Sequence, residues 1–129
     1  MNLIAHTESV AIDATPAAVM EVIGDPEQLP RWAPQFAREV RREDELWVVT
    51  NDSGDQQVRI RVVPELGVVD YLAPNAEAGA YSRVVARGAG AELMFTTFFA
   101  ANVSDEEREA QRGVIAGELA TVRALVEGA

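Results

Sequence analysis

Residues 104–127, SDEEREAQRGVIAGELATVRALVE, carry the longest unbroken helical period in the chain, and the fold follows from what must cover them. Ser104 is placed to accept from the first free backbone N–H groups, and Glu107, three residues on, can reach back to it. Asp105, Glu106, Glu107 and Glu109 add negative charge at the positive end of the helix dipole, so the start is strongly specified. At about 100° per residue, Ile115, Leu119, Val122 and Val126 share one stripe, flanked by Val114 and Leu125. Nearer its N-terminal end the same face turns polar, with Arg108 on the stripe and Gln111 and Glu118 beside it. A helix that only plugged a core has no use for these groups.

Working outward, residues 3–13 alternate so that Ile4, His6, Glu8, Val10 and Ile12 share a face, which predicts a first strand carrying His6 and Glu8 inward. Thr15-Pro16 caps a short helix over 17–23 ended by Gly24, and Asp25-Pro26 starts a second short turn through Leu29. Pro30 and Pro34 are expected to return the chain to extended structure. Strands follow over 36–42 and 46–50, then around Val58, Ile60 and Val62, and over 68–72, 81–87 and 91–101. For the last two, Leu93/Phe95/Thr97/Phe99 and Met94/Thr96/Phe98 are both plausible inner sets, and Tyr81/Arg83/Val85 competes with Ser82/Val84/Ala86. An antiparallel sheet needs a cover on one face, and the final helix is the only element large enough. The fold class is therefore α+β.

Length and charge narrow the rest. The 129 residues suit one domain over 1–129, with room for a core and a cavity. A net charge of −10 opposes nucleic-acid phosphates and anionic lipid as partners. All 11 basic residues are arginines, so Schiff-base chemistry and covalent pyridoxal phosphate are excluded. One histidine and no cysteine make a metal site unexpected, and no cofactor is expected. Without a basic, apolar leader or a long apolar run the chain reads as cytoplasmic, with no membrane insertion.

Three local patterns, Val10-Ala11-Ile12-Asp13-Ala14-Thr15-Pro16, then residues 25–34 (DPEQLPRWAP), then Gly117-Glu118-Leu119 with Leu125 and Glu127, resemble the START-like, pollen-allergen-like SRPBCC superfamily. Within it the chain is most similar to small bacterial polyketide cyclase/dehydrase-type proteins. The resemblance spans essentially the whole chain and is architectural, with no cyclase-type catalytic set among the matching residues. It implies a helix-grip fold: a seven-stranded antiparallel sheet curved around the C-terminal helix, two short helices after strand 1, and a cavity for lipids, sterols, polyketides or hormones. The partner it implies is a small hydrophobic molecule, bound by a monomer or homodimer acting as a carrier. A polyketide cyclase or dehydratase using the same cavity, and an interaction protein with a filled interior, are the alternatives.

Candidate site residues come from the inward faces. His6 and Glu8, roughly 7 Å apart along their strand, either shuttle a proton or form a structural pair near water. Glu118 either faces a pocket or pairs with a strand arginine such as Arg83. Arg108 and Gln111 either hold a ligand oxygen or form an ordinary solvated turn. Trp32, Trp47, Tyr71, Tyr81 and Phe95, with Ile115 and Leu119 of the helix, either line the pocket or fill the core.

Overall fold

The computed structural model describes residues 2–129. Seven strands, β1 (Leu3–Ile12), β2 (Glu39–Glu43), β3 (Leu46–Asn51), β4 (Gly54–Val63), β5 (Val68–Leu72), β6 (Gly79–Arg87) and β7 (Gly90–Ala100), form one antiparallel sheet in the order β1-β7-β6-β5-β4-β3-β2. Between β1 and β2 lie α1 (Pro16–Ile23), a 3-10 turn (Pro26–Gln28) and the single-turn α2 (Leu29–Trp32), and α3 (Asp105–Glu127) ends the chain. This is the α+β helix-grip fold.

The N-caps at both helix starts form as the residues indicate, while Glu107 makes no bond back to the Ser104 N–H. Thr15 Oγ1 accepts from the Ala18 N–H at 3.2 Å ahead of Pro16, and Ser104 Oγ accepts from the Glu107 N–H at 3.1 Å ahead of three acidic residues. In α3 the buried residues are Ile115, Leu119, Val122 and Val126, and each such side chain contributes about 1.5–3 kcal/mol when withdrawn from water. They pack with Val19 and Ile23 of α1 and with Ile12 and Leu93 of the sheet. The far end of α3 is tied to the end of β1: the Asp13 N–H donates to Glu127 Oε2 at 2.8 Å. That bond, with Arg123 at 3.2 Å, holds the Glu127 carboxyl below the usual range.

Three details differ from expectation. Residues 36–38 are not in β2, which begins at Glu39; the Phe36 and Ala37 N–H groups instead donate to the Ala33 carbonyl, and the Phe36 ring turns in to meet Tyr71 edge-on at 6.0 Å. Pro30 does not break the helix there, because in the first turn of α2 its missing N–H has no partner to lose. The strand expected over 46–50 and the one around Val58 run further toward each other, pairing continuing to Asn51↔Gly54, where Gly54 takes φ +97°.

The register also selects the inner faces left open above. Val10↔Leu93 and Glu8↔Phe95 on one side, and Ser82↔Phe95 and Val84↔Leu93 on the other, turn Leu93, Phe95 and Thr97 toward α3 together with Ser82 and Val84. Tyr81, Arg83 and Val85 therefore belong to the outer face, with Asp70 opposite Tyr81 and Arg61 opposite Asp70.

Candidate functional site

The grip is not filled. Between the sheet and the first half of α3 lies a cavity of about 880 Å³, open to solvent on one side and within the range of small-molecule sites. Sequence spacing explains its roof: Gln111, Val114, Ile115 and Glu118 lie at i, i+3, i+4 and i+7, the side of α3 that faces the sheet. The walls are Val58, Tyr71, Leu72 and Ala80 with Phe95 and Thr97, and α2 with its following loop contributes Leu29, Trp32, Ala33 and Phe36. Asn51, Ser53, Gln56, Gln57 and Glu77 make its polar margin.

Tyr71 ties the aromatic wall together. Its ring meets Trp32 edge-on at 6.4 Å and Phe36 at 6.0 Å, and its hydroxyl faces the Ile23 carbonyl at 3.5 Å. Burial, reinforced by the negative potential of Glu118 and Asp70, pushes that hydroxyl well above its ordinary pKa, so it stays a neutral donor. The Trp32 indole Nε1–H is buried with no hydrogen-bond partner.

Glu118 is the one ionisable side chain that α3 contributes to the cavity lining among the described residues. It has neither a salt bridge nor a side-chain hydrogen bond, and burial pushes its carboxyl up to about 7. The expected pairing with Arg83 does not occur, because the strand register puts Arg83 on the opposite side of the sheet, 2.6 Å from Asp70 Oδ1. Arg61 holds the other oxygen of Asp70 at 2.6 Å.

Of the residues singled out from sequence, the structure gathers Trp32, Tyr71, Phe95, Gln111, Ile115 and Glu118 around the cavity. Tyr81 reaches it only at the open margin, where its ring packs edge-on against Phe98 at 6.3 Å. The others stand apart for identifiable reasons. Trp47 lies under the Arg42 guanidinium at 5.5 Å, and Leu119 is core at 3 % exposure. Arg108 is engaged by Asp105 and by the Val103 carbonyl at 3.3 Å, within its own helix start. His6 and Glu8 face inward but close on each other at 3.1 Å and do not line the cavity. Among residues not foreseen, Phe36 was concealed by its position in an apparent strand, and the paired glutamines 56 and 57 carry no periodic signal at all.

The fold and cavity together define a helix-grip domain. Known structures share it across nearly the whole chain. XoxI from Bacillus cereus superposes with a TM-score of 0.73 at 21% identity, covering 95% of this chain and 94% of that one. The Zhui aromatase/cyclase from a Streptomyces species gives 0.69 at 18% identity, over 98% and 94%. Ara h 8.0201 gives 0.67 at 14% identity, over 99% and 100%. No known family profile matches the chain, and no curated protein matches its sequence. Among the described residues no helix is long and apolar enough to cross a membrane, and no three His, Cys, Asp or Glu side chains converge as metal ligands.

Proposed function

We propose that this protein binds a small, largely hydrophobic molecule, lipid-like or polyketide-like, in the cavity beneath the first half of α3 and serves as its carrier. The observation that supports this reading most directly is the cavity itself: about 880 Å³ of unfilled space bordered by aromatic and aliphatic side chains in a fold whose other half packs solidly. A polar margin and an apolar interior are what a guest with one polar end requires. The reading includes a cytoplasmic location, a monomeric or homodimeric state and no nucleic-acid partner.

Native mass spectrometry of protein purified without detergent tests it. A co-purifying guest that disappears when Ala80→Phe fills the cavity supports the carrier reading. Absence of a guest, together with no thermal shift across a lipid and polyketide panel, overturns it.

Glu118 favours a second reading, an enzyme of the cyclase or dehydratase type. A carboxyl with a pKa of about 7 in a cavity is poised to take or give a proton. His6 and Glu8 are less suited to that role, since each spends its hydrogen bond on the other. Turnover of a polyketide-like substrate that Glu118→Gln abolishes while binding persists selects the enzyme.

A further inference from the structure

We propose that the guest carries a basic nitrogen, protonated in the complex, which pairs with the Glu118 carboxylate against the aromatic wall of the cavity. This rests on the cavity being a binding site and goes beyond it by fixing the charge of what binds.

Among the described residues no charged group pairs with Glu118. Carboxylates taken out of water are normally paired, and elsewhere the chain obeys this rule: Asp70 has two guanidinium groups at 2.6 Å, and Glu8 has His6 at 3.1 Å. Glu118 has none, although it is withdrawn far enough for burial to raise its pKa. No arginine or histidine lines the cavity among the described residues, so none of these residues holds a counter-ion in reserve there. Arg59 and Arg61 both pair with Glu77 at its margin, at 3.6 and 3.1 Å.

The other charged and titratable groups do not change the picture. Tyr71 on β5 is a neutral phenol, and Glu77 at the margin is a second negative charge. On β1, His6 and Glu8 satisfy each other; on α2, Arg31 is exposed and bonded to Gln28 at 3.0 Å; on α3, Arg112 is bonded to Glu109 at 3.0 Å. A fatty acid or phosphate entering this space meets a carboxyl and no cation, and the protein's net charge of −10 repels it before it arrives. An ammonium group meets a carboxylate in a cavity also lined by Trp32, Phe36 and Tyr71, aromatic rings that attract a cation placed over them. A neutral alcohol gains one hydrogen bond and neither of these.

Three probes with one ring system separate these cases: 1-naphthylmethylamine, 1-naphthylmethanol and 1-naphthoate, titrated calorimetrically into the intact chain at pH 8 and moderate salt. The expected order is amine, then alcohol, then acid, with the amine ahead of the alcohol by about tenfold, the size of one well-placed charged hydrogen bond. In Glu118→Gln the amine advantage should fall to within about twofold of the alcohol, whose own affinity should change little. As a check that needs no variant, the amine should shift the side-chain carboxyl 13C resonance of Glu118 in the unaltered protein, and the acid should not. The inference is overturned if the acid binds as well as the amine, if the alcohol equals it, or if the amine advantage survives in Glu118→Gln, which would assign it to the general surface field. Failure of all three probes to bind overturns the cavity reading itself, and this inference with it.

Discussion

Asp70 and Glu118 are carboxylates on opposite sides of one sheet, the first fully buried and the second half-buried, and the protein treats them in opposite ways. Asp70, fully buried on the outer face, is clamped by Arg61 and Arg83, and Arg61 reaches on to Glu77. Three strands contribute to that cluster, β4, β5 and β6, so it fixes their register as well as satisfying a charge. Glu118, on the sheet-facing side of α3, meets no cation among the described residues. The difference teaches where this chain resolves its electrostatics internally and where it leaves them to another molecule.

The largest effect should come from breaking the resolved side. Asp70→Ala removes the buried acceptor shared by two guanidinium groups and should lower stability by about 2–3 kcal/mol in urea unfolding, since Arg61 and Arg83 are themselves partly solvated and Arg61 keeps Glu77. Next comes the unresolved side, with the opposite sign. The folded-state pKa of Glu118 lies above that of the unfolded chain, so its favourable contribution is complete below about 4.5 and is lost as pH rises through about 7. Glu118→Gln does not titrate and should therefore be more stable than the parent at pH 8, by about 1–2 kcal/mol after allowance for partial solvation, with the gap closing below about pH 4.5. Denaturant melts across that pH range check it.

A smaller change would convert one side into the other. Val114→Arg places a guanidinium one turn before Glu118 on the cavity face of α3. The Glu118 pKa, followed by carboxyl NMR, should then fall by about one unit, and amine binding should weaken with it. The smallest effect concerns the helix that carries Glu118. Gly113 and Gly117 sit within α3 with open space where a Cβ would go, so Gly113→Ala should raise stability by about 0.5–1 kcal/mol through helix propensity alone, read as a shift in urea midpoint.

Much of this was legible in the residues, for reasons of period and capping. The stripe of α3, the alternation of β1 and the capped start of α1 are repeated local signals, and each element formed as they indicate. The inner faces of β6 and β7 were not legible, because each alternates between two sets of side chains that are both apolar enough to be buried; only pairing with β1 and β5 decides. That one ambiguity propagated into the site, since it left Arg83 available as a partner for Glu118. Trp47 was misplaced for a related reason. An aromatic residue in a strand signals a half-buried surface, and the cation of Arg42 can cover it as well as a cavity can.

The pairing of the first strand with the last has a bearing on how the chain is made. β1 can find β7 only after residues 90–100 have emerged from the ribosome, and the part of the inner face that α1 does not cover stays bare until α3 follows. During that interval the nascent protein presents unpaired edges and a greasy concave surface, the state in which chains associate wrongly or recruit chaperones. Chains stopped before Asp105 should therefore accumulate as aggregates, because α3 supplies the cover that this surface needs.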